Sequence, residues 1–490
     1  MEVTDFDVGI IGYGPVGMTA ACLLAKQGHS VVVIEKRKEL LQLPRAIHFD
    51  AETLRIWQKL GLHTALLKNT MPTEGLKIED KHGRLLLQGV NKTDCGFPPN
   101  LMFYQPDLEN LLDEKVKSFA EIELRKGCGY VSHWQGDEWV RLYVKSNNKE
   151  EQLKVKYLLG CDGANSSVRK EEGFGLKKLP YSGHSLKIDL FLKEEEKQRK
   201  ADFPKAVVKT ANPAGPKVFI PGFGRHLRWE FIISKKRLKQ KSEGYFLENK
   251  TVFEKLSPFI APTLIELKHV AIYHFRSAVA KKWWENRVMI AGDAAHQMPP
   301  FIGQGMCSGI RDVDNLIWKT SFLLKKQSFK DLLTSYQHER YPHVNKLIWL
   351  TILTGLLFSS PLAFVLFLLS EIPLVSGFLK KLLFPEEKLT AGLLGKHKLR
   401  GRLFPQVNGS DELLGDDFAL ISLGKISEDE RRVLKTSFPL KFVVAPEGEI
   451  AAWMRRYEIE VVIVRPDRYI FDAGNRQELR QLFNRLTLLV

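Results

Sequence analysis

The apolar and polar positions at the start of the chain predict a strand, a tight turn, a helix and a second strand. The apolar run 6–11 is typical of a buried parallel strand, and residues 18–27, rich in small side chains, favour a helix. A Gly-His turn then leads to a second apolar run, 30–34, which ends at Glu35. This order predicts an α/β fold built on a parallel sheet.

Apolar and polar residues alternate in the middle of the chain, between about residues 180 and 280, as expected for strands with one buried face. The predicted strands are 184–192, 205–210, 217–220, 227–233 and 269–275. Residues 76–104 are expected to contribute further strands. The pattern therefore predicts an antiparallel sheet that forms a separate domain and shields a pocket.

The last part of the chain, from about residue 400, has its own pattern of short strands and helices. Strands are predicted at 419–423, 440–444, 461–465 and 469–471, and helices are predicted to begin at Glu428 and Gln477. The preceding region, 392–401, is typical of a linker. We therefore expect a further domain at this end.

An uncharged stretch, residues 347–370, lies between these two regions. Its length and composition reach the threshold for a membrane-spanning helix. Pro361, which follows two serines, is expected to divide it into two helices that are too short to span a bilayer. Two interpretations follow. Residues 346–399 form a helical connector buried against the rest of the chain, or residues 347–380 make a peripheral contact with an anionic membrane.

The composition adds a strong positive charge to this picture. The chain has 490 residues, which predicts two or three domains, and a formal net charge of +16. Such a charge suits an anionic partner. However, the chain has no arginine-rich tail and no nucleic-acid-binding module, so no nucleic acid is expected among its partners.

The cysteines and the N-terminus indicate a reducing compartment. The five cysteines form no CxxC pair and lack the spacing of metal ligands, so we expect free thiols and no metal site. The N-terminus carries acidic residues before its first apolar run and does not resemble a signal peptide. A cytoplasmic protein is expected, associated with the cytoplasmic face of the membrane if the uncharged stretch contacts lipid.

The turn after the first predicted strand carries the glycine pattern of a dinucleotide site. Gly12 permits the sharp turn, Gly14 lets the backbone approach a pyrophosphate, and Gly17 allows the helix to pack closely on the sheet. Pro15 lies within the same turn, and the N-terminus of the helix offers unpaired N–H groups to phosphates. Glu35 is expected to accept hydrogen bonds from ribose hydroxyls.

Two further motifs indicate a family. Residues 158–169 (LLGCDGANSSVR) look like the DG motif of aromatic-ring flavoprotein monooxygenases, and residues 288–296 (VMIAGDAAH) look like their GD motif. More closely, the chain resembles the 3-(3-hydroxyphenyl)propionate hydroxylase and phenol hydroxylase type over essentially its whole length. The matching segments are PRAxHFD at 44–50, RWEF at 228–231, ERxPH at 339–343 and VRPD at 464–467.

The resemblance implies that FAD is bound by residues from three separated stretches. A carboxylate at Asp293, at the carboxyl end of a predicted strand, can bind the flavin ribityl hydroxyls. The backbone N–H groups of 303–305 are expected to face the pyrimidine side of the flavin. The predicted cofactor-binding residues are Gly12, Gly14, Pro15, Gly17, Glu35, Arg45, Gln105, Asp162, Arg169, Gly292, Asp293, Gly303, Gln304 and Gly305. Asp162 and Arg169 are expected to be partly structural, pairing with each other.

The resemblance also implies a hydroxylase reaction. NAD(P)H, a transient co-substrate, reduces FAD; O2 then adds at flavin C4a, and the resulting hydroperoxide hydroxylates a small phenolic substrate. The predicted sheet would exclude water, which destroys the hydroperoxide. His48, near Arg45, is the candidate base that takes the phenol proton. His296 is expected to be a structural residue of the GD loop.

Other functions remain open at this point. A hydroxylase or epoxidase of a lipidic or polyketide substrate at a membrane surface would suit the uncharged stretch. A flavin-dependent halogenase is not expected, because its WxWxIP signature is absent. A non-enzymatic flavin-binding sensor would show no substrate-stimulated oxidation of NAD(P)H.

The predicted organisation is a Rossmann-like FAD-binding domain (1–75, 100–180 and 281–345) with an inserted mixed or antiparallel β-sheet substrate domain (76–99 and 181–280). Residues 400–490 look like the thioredoxin-like domain of phenol hydroxylase relatives. No cysteine follows Cys307, so thiol–disulfide exchange is excluded there. Packing, or contact within a homodimer, is the expected role.

Overall fold

The structure is a computed structural model that describes residues 5–91, 93–212, 215–326, 332–359, 372–383, 388–407, 409–434 and 438–489. The strands are β1 (Phe6–Ile11), β2 (Val31–Glu35), β3 (His48–Asp50), β4 (Thr70–Pro72), β5 (Leu76–Glu79), β6 (Leu85–Gly89), β7 (Asn100–Phe103), β8 (Ile122–Lys126), β9 (Cys128–Gln135), β10 (Val140–Ser146), β11 (Lys149–Gly160), β12 (Leu176–Leu192), β13 (Val207–Thr210), β14 (Lys217–Ile220), β15 (His226–Ile233), β16 (Ile265–Ala280), β17 (Trp284–Glu285), β18 (Val288–Ile290), β19 (His296–Gln297), β20 (Phe418–Ser422), β21 (Leu440–Val444), β22 (Val461–Val464) and β23 (Ile470–Gly474).

The α-helices connect and cover these strands. They are α1 (Pro15–Lys26), α2 (Ala51–Gln58), α3 (His63–Lys68), α4 (Gln105–Lys117), α5 (Ser167–Glu171), α6 (Lys235–Gln240), α7 (Glu243–Leu247), α8 (Asn249–Leu256), α9 (Gly305–Leu324), α10 (Leu332–Ser359), α11 (Pro373–Leu383), α12 (Ser410–Leu414), α13 (Glu428–Val433), α14 (Glu449–Arg456) and α15 (Leu479–Leu489).

The first sheet is the parallel sheet that the N-terminal pattern predicts. Its strand order is β17-β18-β11-β1-β2-β8, and β9 and β10 extend it as an antiparallel meander paired to β11. Strands β18, β11, β1, β2 and β8 run parallel. Their apolar side chains form the largest hydrophobic core together with α1, α9 and the buried face of α10. The mixed α/β architecture is thereby confirmed.

A second sheet, in the order β19-β16-β12-β15-β14-β13-β5-β6, contains the strands predicted from the alternating pattern. It is mixed, because β13 pairs in parallel with β5, whereas the other pairs along this order are antiparallel. The alternating pattern did not indicate the helices α6, α7 and α8, whose apolar side chains pack under the sheet in its own core.

The strands near the C-terminus form a separate four-stranded sheet in the order β21-β20-β22-β23. Strands β20 and β21 are parallel, and β22 and β23 are antiparallel to their neighbours. Trp318 and Phe322 of α9 pack against Phe418 and Phe438 from this part of the chain. The C-terminal sheet is therefore held on the back of the helix that follows the GD motif.

The uncharged stretch begins inside α10, one continuous helix that also contains the ERxPH segment. Its inner side chains, such as Ile348 and Ile352, are buried, whereas Trp349, Leu353 and Leu356 are exposed. The expected break at Pro361 lies outside the described residues. Among the helices that the structure describes, none is both long enough and apolar enough to cross a bilayer.

Candidate active site

Three separated segments meet at one edge of the parallel sheet. Ile11 is the register partner of Gly160, and Gly160 is the register partner of Ile290. Because parallel strands end at the same edge, the glycine turn, the DG segment and the GD segment leave the sheet side by side. Open α/β sheets bind ligands at this edge.

The glycines of the first turn have different roles. Gly12 has a φ of +105°, and a Cβ there would lie 2.5 Å from the carbonyl oxygen of Cys161. A Cβ on Gly17 would collide with the carbonyl of Gly12. A Cβ added to Gly14, by contrast, would have no other atom within 4 Å. Gly14 and Pro15 line a cavity at the N-terminus of α1. This open backbone can approach a phosphate.

Asp293 of the GD motif projects into the same cavity. Its carboxylate has no hydrogen-bond or ion-pair partner among the residues that the structure describes. Burial raises the pKa of Asp293, and the nearby His296 and Arg45 lower it only in part. The carboxylate is open to the cavity, where the hydroxyls of a ribityl chain can donate hydrogen bonds to it.

The flavin loop, residues 303–305, forms the next part of the cavity wall. Gly303 adopts a left-handed conformation at φ +67°, and Gly305 begins α9. The Gln304 side chain is buried and accepts a hydrogen bond from Arg311 at 2.9 Å while donating to Asp50 at 3.0 Å. These contacts fix the side chain on the protein side and leave the loop backbone toward the cavity.

Arg45 and Gln105 lie close together at the cavity through a shared carboxylate. Glu109 accepts from Arg45 Nη2 at 2.8 Å and from Gln105 Nε2 at 2.6 Å. The Gln105 oxygen accepts from the backbone N–H of Ala46. Arg45 keeps about half of its side chain exposed toward solvent and the cavity.

Arg228 attaches the segment that carries Arg45 to the second sheet. Its guanidinium, 1% exposed, donates to the carbonyls of Pro44 and Arg45 and, through Nε, to Asp189 at 2.7 Å. Burial alone would raise the pKa of Asp189, but Arg228 and His226 outweigh it, and the pKa lies well below the usual range. The RWEF strand thus positions the PRAxHFD segment.

His48 lies beside the flavin loop. Its Nε2 is 2.9 Å from Asn100 Oδ1, and a Cβ on Gly303 would lie 3.1 Å from its Nδ1. With Nε2 donating to the asparagine oxygen, Nδ1 is the nitrogen that carries the lone pair. His48 also lines the cavity, so a basic nitrogen is available at the flavin loop.

One face of the second sheet closes the cavity. The cavity has a volume of about 870 Å³. It is bounded by the glycine turn, the DG segment and the GD segment, by this sheet, and by Leu347, Leu350 and Leu383 of α10 and α11. Polar groups on the sheet face include Lys187, Lys209, Arg228, Glu230 and Tyr273. The sheet therefore shields the site, as the sequence pattern predicts.

Three residues that the sequence predicts to bind the cofactor have other contacts. Glu35 accepts from the backbone N–H of Tyr13 and of Arg37 and is not part of the cavity wall. Asp162 accepts from the N–H groups of Ser167 and Val168. Arg169 donates to the carbonyls of Ala164 and Ala294, and so joins the DG and GD segments.

Among the described residues, Asp162 and Arg169 do not form an ion pair with each other. The expected pairing of these two residues was therefore wrong. His296 is buried, with Nε2 2.6 Å from Asp312, in agreement with a structural role. The sequence pattern missed Asn100, Glu109, Lys187, Lys209 and Glu230. A charged residue inside an otherwise apolar strand was the one signal available for Lys209.

The residues at the sheet edge fit FAD. A dinucleotide needs an open helix N-terminus for its pyrophosphate, acceptors for its hydroxyls and backbone donors at its ring. Gly14 at α1, the unpartnered carboxylate of Asp293 and the loop 303–305 provide these along one cavity. No cluster of metal-ligating side chains occurs in the described part of the chain.

Comparison with known families agrees with this geometry. Residues 5–351 match the family model described as FAD binding domain, and residues 429–488 match the HcaD C-terminal domain. A probable NADH-specific resorcinol 4-hydroxylase of Rhodococcus jostii (strain RHA1) is 32% identical over 99% of this chain and 95% of that protein. The chain therefore belongs to the FAD-dependent aromatic hydroxylases, a family of flavoprotein monooxygenases.

Two further proteins match the chain over nearly its whole length. The 3-(3-hydroxy-phenyl)propionate/3-hydroxycinnamic acid hydroxylase of Escherichia coli (strain K12) is 28% identical over 98% of this chain and 94% of that protein. A crystal structure of the flavin-dependent monooxygenase PieE in complex with FAD and substrate superposes with a TM-score of 0.82 at 19% identity, covering 99% of both chains. The family, the cofactor and the hydroxylase class predicted from the motifs are thereby confirmed, and the hydroxylase interpretation is supported over the lipid-directed one.

Proposed function

We propose that the protein hydroxylates the ring of a small phenolic substrate, with NAD(P)H as reductant and O2 as oxidant. The observation that carries this proposal is that His48 Nδ1, the flavin loop and the polar face of the second sheet border one cavity. Bound FAD supplies the redox and oxygen chemistry. The relatives named for resorcinol and for hydroxyphenylpropionate support a phenolic substrate.

The residues of the chain have three tasks in this proposal. Asp293, Gly14 and the loop 303–305 bind and orient the cofactor. His48 accepts the proton of the phenol hydroxyl at Nδ1, while Asn100 holds the ring through Nε2. The second sheet excludes water and positions the aromatic ring.

A turnover experiment tests this function. The purified protein should be yellow and release FAD on denaturation. NADH or NADPH oxidation should accelerate when resorcinol or 3-(3-hydroxyphenyl)propionate is added, and ¹⁸O from labelled O2 should appear in the product. Accelerated oxidation that yields only hydrogen peroxide with a wide range of phenols would contradict the proposal.

We also propose the finer domain organisation. The boundaries near 75, 100, 180 and 281 are supported by the points at which consecutive strands change from one sheet to another, whereas 345 lies inside the continuous helix α10. A thioredoxin-like character of residues 400–490 is supported by the strand order β21-β20-β22-β23, with β23 followed by α15. In this proposal the domain acts by packing, since the described cysteines lie elsewhere.

A peripheral membrane contact is a second proposal, for the outer surface of α10 and α11. Leu374 is 85% exposed and Phe378 is 61% exposed, and Trp349 is also exposed. The exposed Lys380 and Lys381 follow directly in α11, and the chain has a net charge of +16. Apolar side chains beside lysines suit an anionic lipid surface. A homodimer through the same surface is the alternative outcome of the test.

A further inference from the structure

A row of five neighbouring residues crosses the sheet that covers the cavity. Lys209 of β13 is the register partner of Val218 of β14, and Val218 is the partner of Glu230 of β15. Glu230 is the partner of Lys187 of β12, which is the partner of Ala271 of β16. Neighbours in such a row point to the same face of a sheet, and all five line the cavity.

The carboxylates on this face already have cationic partners. Glu230 lies 3.6 Å from Lys187 and 3.8 Å from Arg228, and Asp189 lies 2.7 Å from Arg228. Lys209 is two strands from Glu230, about 10 Å at the usual strand spacing. Among the described residues, no carboxylate lies within ion-pair distance of Lys209.

Lys209 is therefore a cation without a counter-ion on the polar face of this sheet. It is 5% exposed, its Nζ donates to the carbonyl of Phe301, and the same Nζ lies 5.1 Å from the ring centre of Phe358. Burial lowers the pKa of Lys209 to about 8, although Glu230 acts in the opposite direction. An ammonium group has three donors, and a buried cation is stabilised by an anion that accepts from it.

We propose that Lys209 binds the carboxylate of the substrate, so that the enzyme selects a phenolic acid over an uncharged phenol. This inference rests on the hydroxylase function proposed above and specifies its substrate class. The two relatives are named for substrates that differ in this respect, because resorcinol has no carboxylate and hydroxyphenylpropionate has one. In this proposal the chain is directed to a substrate that carries a carboxylate.

Equilibrium binding to the FAD-loaded enzyme tests the inference independently of turnover. The probes are 3-phenylpropionate and its uncharged amide, 3-phenylpropanamide, which differ in charge but hardly in shape. Binding is followed by the change in flavin absorbance. We expect the wild type to bind the acid at least about tenfold more tightly than the amide, as a charge-assisted hydrogen bond allows. Lys209→Met should abolish this preference.

Two further variants separate charge recognition from a structural role. Lys209→Arg keeps a cation and should retain the preference. Lys205→Met, which removes an exposed lysine at the start of the same segment, should leave it unchanged. The affinity of the wild type for the acid should fall as the pH rises through about 8, because the ammonium is lost, and Lys209→Arg should show no such fall.

Three results would overturn the inference: equal binding of acid and amide by the wild type, binding of neither, or an acid preference that survives in Lys209→Met. If Lys209→Met does not retain FAD, the wild-type comparison and the pH dependence of Lys209→Arg decide. Failure of the hydroxylase function itself would appear separately, as absence of phenol-stimulated NAD(P)H oxidation.

Discussion

The imidazole of His48 and the side-chain amide of Asn100 are joined by a hydrogen bond of 2.9 Å, although 52 residues separate them in the chain. The pairing of β3 with β7 brings the two residues to neighbouring strands. Asn100 thereby sets the ring orientation that places Nδ1 of His48 beside Gly303. A base needs this kind of fixed orientation to take a proton from a bound substrate.

Replacement of His48 by alanine should slow hydroxylation by about 100-fold or more, the usual contribution of a general base. FAD binding should change little, because His48 is not among the groups that hold the cofactor in our proposal. The measurements are the rate of product formation and the product formed per NAD(P)H consumed, both at saturating phenol. His82→Ala, which removes an exposed histidine, is the matched control. Normal turnover and coupling in His48→Ala would remove His48 from the mechanism.

Replacement of Asp293 by asparagine should weaken FAD binding by about 10- to 100-fold, because hydrogen bonds to a charged group contribute about 1.5–3 kcal/mol. A fluorescence titration of the apoprotein with FAD measures this. Burial raises the pKa of Asp293, so the wild-type affinity should fall with decreasing pH earlier than for an ordinary carboxyl group. The FAD affinity of Asp293→Asn should not fall in this way as the pH decreases. Asp137→Asn, on the surface, should behave as the wild type.

The sequence could indicate where several of the proposed flavin-site residues lie, because these residues are tied to chain turns. Gly12, Asp293 and Gly303 each lie directly after or before a recognisable strand or helix, so local pattern determines their position. Lys209 and Glu230 could not be assigned in this way, since only the strand register shows which side chains share a face. Sequence-distant contacts are equally invisible to local pattern, as with His48 and Asn100.

Replacement of Arg228 by lysine should leave the protein folded but reduce hydroxylation by roughly 10- to 100-fold, as expected when a positioning group is lost. Lysine keeps the positive charge opposite Asp189 but cannot donate in the forked geometry that holds the carbonyls of Pro44 and Arg45. Coupling of NAD(P)H to product measures the effect. Arg225→Lys, just before β15 and outside the cavity, is the control.

Vesicle sedimentation tests the outer surface of α10 and α11. The wild type should sediment with phosphatidylglycerol vesicles and much less with phosphatidylcholine vesicles, because lysines beside apolar residues each contribute about 1 kcal/mol at an anionic surface. A Leu374→Ser, Phe378→Ser double variant, which removes the apolar side chains without adding charge, should remain in solution, whereas Val131→Ser on another surface should still sediment with the vesicles. Full recovery of the wild type in the supernatant, with a dimer by gel filtration that the double variant lacks, would favour self-association.

Glu339 of α10 connects the C-terminal sheet to the FAD-binding part of the chain. Its fully buried carboxylate accepts from Arg465 at 2.6 Å and 2.9 Å and from Lys319 at 2.8 Å. Burial would raise the pKa of Glu339, but Arg465 and Lys319 lower it to about 2. In the unfolded chain the pKa of a glutamate is about 4.3.

A lowered pKa in the folded state means that Glu339 stabilises the fold above the unfolded pKa and loses this contribution as the pH falls through about 4 toward 2. Removal of one partner from a buried ion pair costs about 3–5 kcal/mol. Glu339→Gln should therefore lower the thermal unfolding temperature strongly at neutral pH. The difference in unfolding temperature between Glu339→Gln and the wild type should narrow on acidification, since the wild type loses the same interaction.

Glu447→Gln, at an exposed ion pair, is the control and should show neither effect. A gap that stays constant from neutral pH to pH about 3 would mean that the charge of Glu339 does not stabilise this contact.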